Sequence, residues 1–145
     1  MTERRLDEKD RALIGLLEAN ARMPVAVLAR KLGLARTTVQ ERIHRLESSG
    51  VIAGYGLRLA PRSDGAIDAQ VSLSVDPKRT ESVIRALKDF PEIKSCLAVS
   101  GAFDLVVAVR APDMGAIDQV LDRIGALSGV ERTHSAIVLA TKFRR

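Results

Sequence analysis

Between residues 36 and 45 the chain places Arg36, Thr37, Thr38, Gln40, Glu41, Arg42, His44 and Arg45 around two apolar positions, Val39 and Ile43. Hydroxyl, amide, carboxylate and imidazole groups donate to or accept from base edges, while guanidinium groups suit phosphate oxygens or the paired acceptors of guanine. Wound at about 100° per residue, the segment turns Val39, Ile43 and Leu46 inward. Thr37, Thr38, Glu41, His44 and Arg45 then fall on the outward arc, with Gln40 at its flank. That arc has the chemistry of a double-stranded DNA reader. A solvated bundle of three short helices would show the same polar exterior; the turn before the segment favours the first reading. In Leu28-Ala29-Arg30-Lys31-Leu32-Gly33-Leu34-Ala35-Arg36-Thr37-Thr38-Val39, two helical runs join through Gly33, with small Ala29 where helices must approach closely. This is the pattern of a helix-turn-helix, whose second helix enters the major groove. Ala35 stands where Ser or Thr would cap that helix, a loss of about 1 kcal/mol.

A second group, Ser100, Gly101, Phe103 and Asp104, lies in the short segment Val99-Ser100-Gly101-Ala102-Phe103-Asp104. Gly101 permits backbone angles closed to other residues and exposes its amide, and Asp104 offers a carboxylate at the start of a strand. Backbone amides suit a carboxylate and a carboxylate suits an ammonium group, so the pair matches the zwitterionic end of an amino acid. An ordinary hairpin turn with Asp104 bonded to local backbone fits the same residues. Catalytic chemistry has little support: the chain has two histidines, His44 and His134, and neither keeps a metal-binding spacing with Cys, Asp or Glu. GxGxxG, Walker and GxSxG turns are absent. The expectation is a binding protein, not an enzyme, with no metal and no cofactor. His134 reads as a sheet-surface residue and the single cysteine, Cys96, as packing.

The elements that must hold these groups follow from periodicity. A first helix runs from about Asp7, its N-cap, to Asn20, striped by Leu13, Ile14 and Leu17. A second starts near Pro24, placed in its first turn, and stops at Gly33; a third spans about Arg36 to Ser48 and ends at Gly50. Val51 to Leu59 reads as an extended segment leaving the module, and Ala60-Pro61-Arg62-Ser63-Asp64-Gly65 as a linker. Beyond it Ala69, Val71, Leu73 and Val75 alternate with polar residues as in a half-buried strand. Val83, Ile84, Leu87 and Phe90 stripe a helix, Ile93 to Val99 makes a strand and Leu105 to Val109 another. Ile117, Val120, Leu121 and Ile124 stripe a further helix, and Val130 to Leu139 is the last strand. The fold class is therefore α+β: a helix-turn-helix domain at 1–59, a linker at 60–65, and a ferredoxin-like βαββαβ domain at 66–145. A sheet covered by helices on one side leaves the other face bare and apolar, so a homodimer is expected.

Composition agrees. With 46% hydrophobic and 28% charged residues, the 145-residue chain can bury a real core, which excludes a disordered tail or a fibre. Residues 1–60 hold 11 Lys+Arg against 7 Asp+Glu, a surplus of +4, whereas residues 61–145 hold 12 against 11. A polyanionic partner therefore belongs to the first part. No apolar run is long enough for a membrane span, the first ten residues are charged where a signal peptide would be apolar, and one cysteine suits a reducing compartment; a cytoplasmic protein without membrane contact is expected.

Taken in order, Leu6-Asp7-Glu8-Lys9-Asp10, Asn20-Ala21-Arg22, Leu28-Ala29, Gly33-Leu34, Val39, Arg42-Ile43, Arg45-Leu46-Glu47, Gly50-Val51-Ile52 and Gly54-Tyr55 form one motif set. Gly101-Ala102-Phe103-Asp104-Leu105 and Gly129-Val130-Glu131-Arg132-Thr133 form another. Together they strongly resemble the Lrp/AsnC, or feast/famine, family of bacterial and archaeal transcriptional regulators, over nearly the whole chain. The resemblance implies an N-terminal winged-helix-like DNA-binding domain, a linking strand and a ferredoxin-like domain that forms dimers and commonly higher homo-oligomers. It also implies an amino-acid effector between dimers, touching Ser100, Gly101, Phe103 and Asp104. Ala102 departs from the polar residue many members carry there, and Pro24 and Ala35 from helix-capping hydroxyls, which leaves the effector's identity open. Some proteins resembling this architecture are siroheme decarboxylases; the intact polar face of the third helix favours the regulator over that enzyme. A sensor without DNA function is disfavoured because residues 1–59 are present and basic.

Overall fold

Asp7 begins the first helix, α1 (Glu8–Ala19): its Oδ1 accepts from the Asp10 N–H at 2.7 Å, and Asp10 Oδ2 accepts from the Asp7 N–H at 3.3 Å. This reciprocal cap satisfies two of the donors a helix start leaves unpaired. Residues 6–57 and 65–143 are described by the computed structural model, and the chain divides into two compact units, Met1–Arg58 and Leu59–Arg145. All of the predicted 60–65 linker except Gly65, and the end of the 51–59 segment, lie outside the described residues.

In the first unit α2 (Val25–Leu32) follows Pro24, which occupies the N-cap position and not the first turn. Gly33, at φ +66°, ends α2 in the left-handed region that glycine enters at no steric cost. Lys9 Nζ donates to the Leu32 carbonyl at 2.5 Å, so a cation sits at the helix's negative end. The third helix, α3 (Arg36–Ser48), starts from Ala35 with no side-chain cap, as the sequence implies. Leu13, Leu17, Leu28, Leu32, Val39 and Leu46 close the core between the three helices, with Ala29 at the tight crossing. Residues 51–57 leave α3 with no ladder of their own, although the Ile52 N–H donates to the Leu46 carbonyl and the Tyr55 hydroxyl to Glu47 Oε1 at 2.7 Å. An extended segment needs a neighbouring strand to form a ladder, and the described residues of this unit contain none.

The second unit runs β1 (Ile67–Val75), α4 (Thr80–Lys88), β2 (Ile93–Ala98), β3 (Leu105–Ala111), α5 (Met114–Gly125) and β4 (Val130–Ile137). Its strands lie in the order β2-β3-β1-β4, each antiparallel to its neighbour, which is the ferredoxin-like arrangement. Val83 and Leu87 of α4 and Ile117, Val120 and Ile124 of α5 bury against Val71, Leu73, Leu105 and Val107. Asp113 caps α5 through the Ala116 N–H at 2.8 Å. Cys96, opposite Val107, packs at the edge of this core, and burial pushes its thiol pKa up.

The sheet face away from the helices departs from expectation. Period-two alternation puts Gln70, Ser72 and Ser74 of β1 and Arg132 and His134 of β4 on it, so it is polar along these two strands. The apolar residues Leu97, Val106 and Ala108 gather on the β2–β3 side, with Ala136 opposite Gln70 the apolar exception on β4. The polar residues that alternate along β1 in the sequence already face this side, and the expectation of a bare apolar face does not take them into account. Among the described residues no helix is long and apolar enough to cross a membrane.

Candidate nucleic-acid interface and ligand loop

The predicted DNA-facing residues divide into two groups on α3. Arg36, Thr37, Gln40, Glu41 and His44 are exposed and Thr38 is half-buried, while Val39 and Leu46 are sealed beneath them. The first nine residues of the helix thus present hydroxyl, amide, carboxylate, imidazole and guanidinium groups side by side, as base-edge recognition requires.

Arg42 and Arg45 instead turn toward α1. Arg42 Nη1 reaches Asp7 Oδ2 at 2.6 Å and Asp10 Oδ1 at 2.7 Å, and Arg45 Nη2 contacts the two oxygens of Asp10 at 2.8 and 3.0 Å. The hydrogen bond from Arg42 holds the Asp7 carboxyl below the usual carboxylate range, with the Asp10 backbone N–H adding to it. Reciprocally, the bonds to Asp7 and Asp10 raise the Arg42 guanidinium above its ordinary value. Side-chain exposure separates the two arginines: 19% for Arg42 and 44% for Arg45. Arg45 keeps a solvent-facing side, whereas Arg42 is largely committed to the acidic pair. In the sequence Asp7 reads as an N-cap and Asp10 only as part of a motif. The missed signal is their three-residue spacing, matched by the three-residue spacing of Arg42 and Arg45, which lines up two carboxylates and two cations across a helix pair.

The loop from Val99 to Asp104 is tied across the sheet. The Asp104 N–H donates to the Leu73 carbonyl and Asp104 Oδ2 accepts from the Val75 N–H, both at 2.8 Å. The Asp104 side chain and N–H are therefore bonded to the backbone of β1, while its carbonyl closes its own turn by accepting from the Val99 N–H at 3.0 Å. Gly101, at φ +121°, is exposed, and a side chain there would meet open space. Ser100 and Asp104 are exposed as well, and Phe103 is half-buried. Two residues that sequence reading left out of the site border Phe103: the Arg132 guanidinium lies 5.0 Å from its ring centroid, and His134 stacks at 6.1 Å. Arg132 Nη2 also donates to the Ala102 carbonyl at 3.3 Å. Both come from β4, far along the chain. Their period-two spacing is visible in the sequence, and the ferredoxin-like order places β4 beside β1, but the register that sets Arg132 opposite Ser74 and His134 opposite Ser72 is not.

The Lrp/AsnC ligand binding domain matches residues 68–145, and the AsnC-type helix-turn-helix domain matches residues 6–47. Over 138 residues, 94% of this chain and 91% of the other, the sequence is 36% identical to the HTH-type transcriptional regulator LrpA of Mycobacterium tuberculosis. The fold is similar to the crystallised feast or famine regulatory protein of M. tuberculosis complexed with L-methionine, with a TM-score of 0.87 and 34% identity over 97% of this chain and 96% of that one. It is also similar to a transcriptional regulator of Neisseria meningitidis in complex with L-methionine, with a TM-score of 0.85 and 26% identity over 97% of this chain and 94% of that one.

Proposed function

Because the chain belongs to the Lrp/AsnC family of transcriptional regulators, we propose that it reads operator DNA through α3 and answers to an amino acid bound at the 100–104 loop. Residues 1–59 serve DNA, 60–65 link, and 66–145 bind the effector and assemble the chain into homodimers and larger homo-oligomers. The protein acts by binding and not by catalysis.

The observation that carries this reading is the sidedness of α3: Val39 and Leu46 are buried while Arg36, Thr37, Gln40, Glu41 and His44 stand exposed. In the proposal these five, with Thr38 and the open side of Arg45, contact DNA. Arg42 supports them from behind. At the loop, the exposed Gly101 amide receives the effector carboxylate, Asp104 favours its ammonium group, and Ser100 and Phe103 complete the contact. Relatives bearing L-methionine make a free amino acid the ligand class to test first.

Mobility-shift titration on a duplex enriched by the protein from a random pool tests the DNA half. His44→Ala and Thr38→Ala should each change base preference by about 1–3 kcal/mol at their own positions, and Arg45→Ala should weaken binding. Wild-type affinity and unchanged preference in all three variants would remove α3 from the interface.

A further inference from the structure

Asp10 is 4% exposed and is the charged residue buried among those described. It stands on α1, away from the outward face of α3, yet its carboxylate is filled from several directions. Oδ1 accepts from Arg42 Nη1 at 2.7 Å and Arg45 Nη2 at 2.8 Å, and Oδ2 accepts from Arg45 Nη2 at 3.0 Å and the Asp7 N–H at 3.3 Å. Capping α1 accounts for the last bond alone. A first-turn cap ordinarily keeps its charge in water, whereas this one is buried beneath two cations of the neighbouring helix. Burying ions is costly, and well-packed apolar side chains would hold two helices together at least as well. What the ion cluster adds is direction: a carboxylate shared by two guanidinium groups one turn apart admits a narrower set of helix rotations than an apolar contact does.

Taking α3 as the DNA-reading helix, as proposed above, we infer that Asp10 is a positioning residue for sequence discrimination. Through Arg42 and Arg45 it fixes the rotation with which Thr37, Gln40, Glu41 and His44 meet base edges. With Asp7 it also withholds the Arg42 charge from phosphates, which carry no sequence information. Neutralising Asp10 has two consequences of opposite sign. Arg45 is released to sequence-blind attraction and Arg42 is left with Asp7 alone, while the base-reading groups lose their register. A cluster that only stabilises the fold would give neither pattern, because partial unfolding lowers specific and non-specific binding together.

The experiment uses the full chain and two duplexes, one enriched by the wild-type protein from a random pool and one scrambled. Wild type, Asp10→Asn, Arg42→Met and Leu13→Ala are compared over a salt series at temperatures where circular dichroism shows each variant folded. Leu13 is fully buried on the same helix and outside the ion cluster, so its truncation controls for stability. Asp10→Asn should reduce the ratio of enriched to scrambled affinity about tenfold, the worth of one misplaced base contact. Its scrambled-duplex affinity should hold or rise, with a steeper salt dependence. Arg42→Met should lower the same ratio, and it provides the reading if Asp10→Asn does not fold. Leu13→Ala should lower the melting temperature and leave the ratio alone. A wild-type ratio in the folded cluster variants, or a parallel loss on both duplexes, overturns the inference. A wild-type protein that does not distinguish the two duplexes overturns the DNA-reading proposal instead.

Discussion

Asp104 shows how one side chain can serve structure and recognition at once. Its Oδ2 is taken by the Val75 N–H, so Asp104→Ala removes both the negative charge and the tie that holds the loop to β1. Asp104→Asn separates the two roles, since an amide oxygen still accepts from Val75 but offers no charge to an ammonium group. In thermal-shift measurements Asp104→Asn should melt close to wild type and lose stabilisation by any amino acid that stabilises wild type. An unchanged ligand response would take Asp104 out of the effector site. Two glycines make a similar contrast. Gly101 at φ +121° faces open space, whereas a Cβ on Gly129, at φ +107°, would stand 2.7 Å from the Arg79 Cβ. Gly101→Ala therefore meets backbone strain alone, about 1 kcal/mol, while Gly129→Ala adds a clash and should cost about 2–3 kcal/mol by chemical denaturation. In the sequence Gly101 reads as a turn residue and Gly129 stands only within a family motif, with no sign of which has a neighbour. Likewise the chemistry of α3 was legible in its outward residues, and the withdrawal of Arg42 was not, because its partners lie on another helix.

At the scale of elements, the start of each helix tells most. Ala35 has extended backbone, φ −67° and ψ 151°, suited to an N-cap, but no side-chain oxygen to fill the first donors of α3. Ala35→Ser should stabilise the helical unit by about 1 kcal/mol in urea denaturation; no gain would mean those donors are already satisfied. At α1 the cap is joined to the ion cluster. Asp7 ionises more readily in the folded chain than at its ordinary value of 3.8, first through its bond from Arg42, with the Asp10 N–H and Arg45 adding to it. The resulting stability is present above pH 3.8 and is lost as pH falls from there through the lowered native value. The stability gap between wild type and Asp7→Asn should accordingly shrink over that acid range, and a gap independent of pH would show that the Asp7 charge contributes nothing. Apolar period places the nine elements of the described residues, and the strand–helix alternation specifies the ferredoxin-like order. Ends were less legible: Phe90, read into its helix, lies beyond Lys88, and β4 stops at Ile137 and not Leu139. Side-chain period continues through such positions, whereas the end depends on where backbone partners run out.

For the whole molecule, two cores imply two separable tasks. The first unit closes around Leu13, Leu28, Val39 and Leu46 and the second around Val71, Leu73, Val107 and Ile117, so each has apolar burial of its own. The sheet's outward face is polar along β1 and β4, which narrows the proposed dimer contact to the apolar β2–β3 side, where Leu97 is 59% exposed opposite Val106. Residues 66–145 alone should therefore sediment as a dimer or larger, and Leu97→Asp should shift them toward monomer by placing an unpaired charge in that contact. Residues 1–59, carrying the positive surplus, should bind DNA without the rest, but more weakly on a two-half-site duplex. Joining two readers makes the second contact intramolecular and raises apparent affinity by about 10²–10⁴. The difference between full chain and fragment should vanish on a single half-site, where only one reader engages. If the fragment 66–145 is a monomer at micromolar concentration and 1–59 a dimer, assembly belongs to the helical unit, and the gain on paired half-sites will survive removal of the sheet.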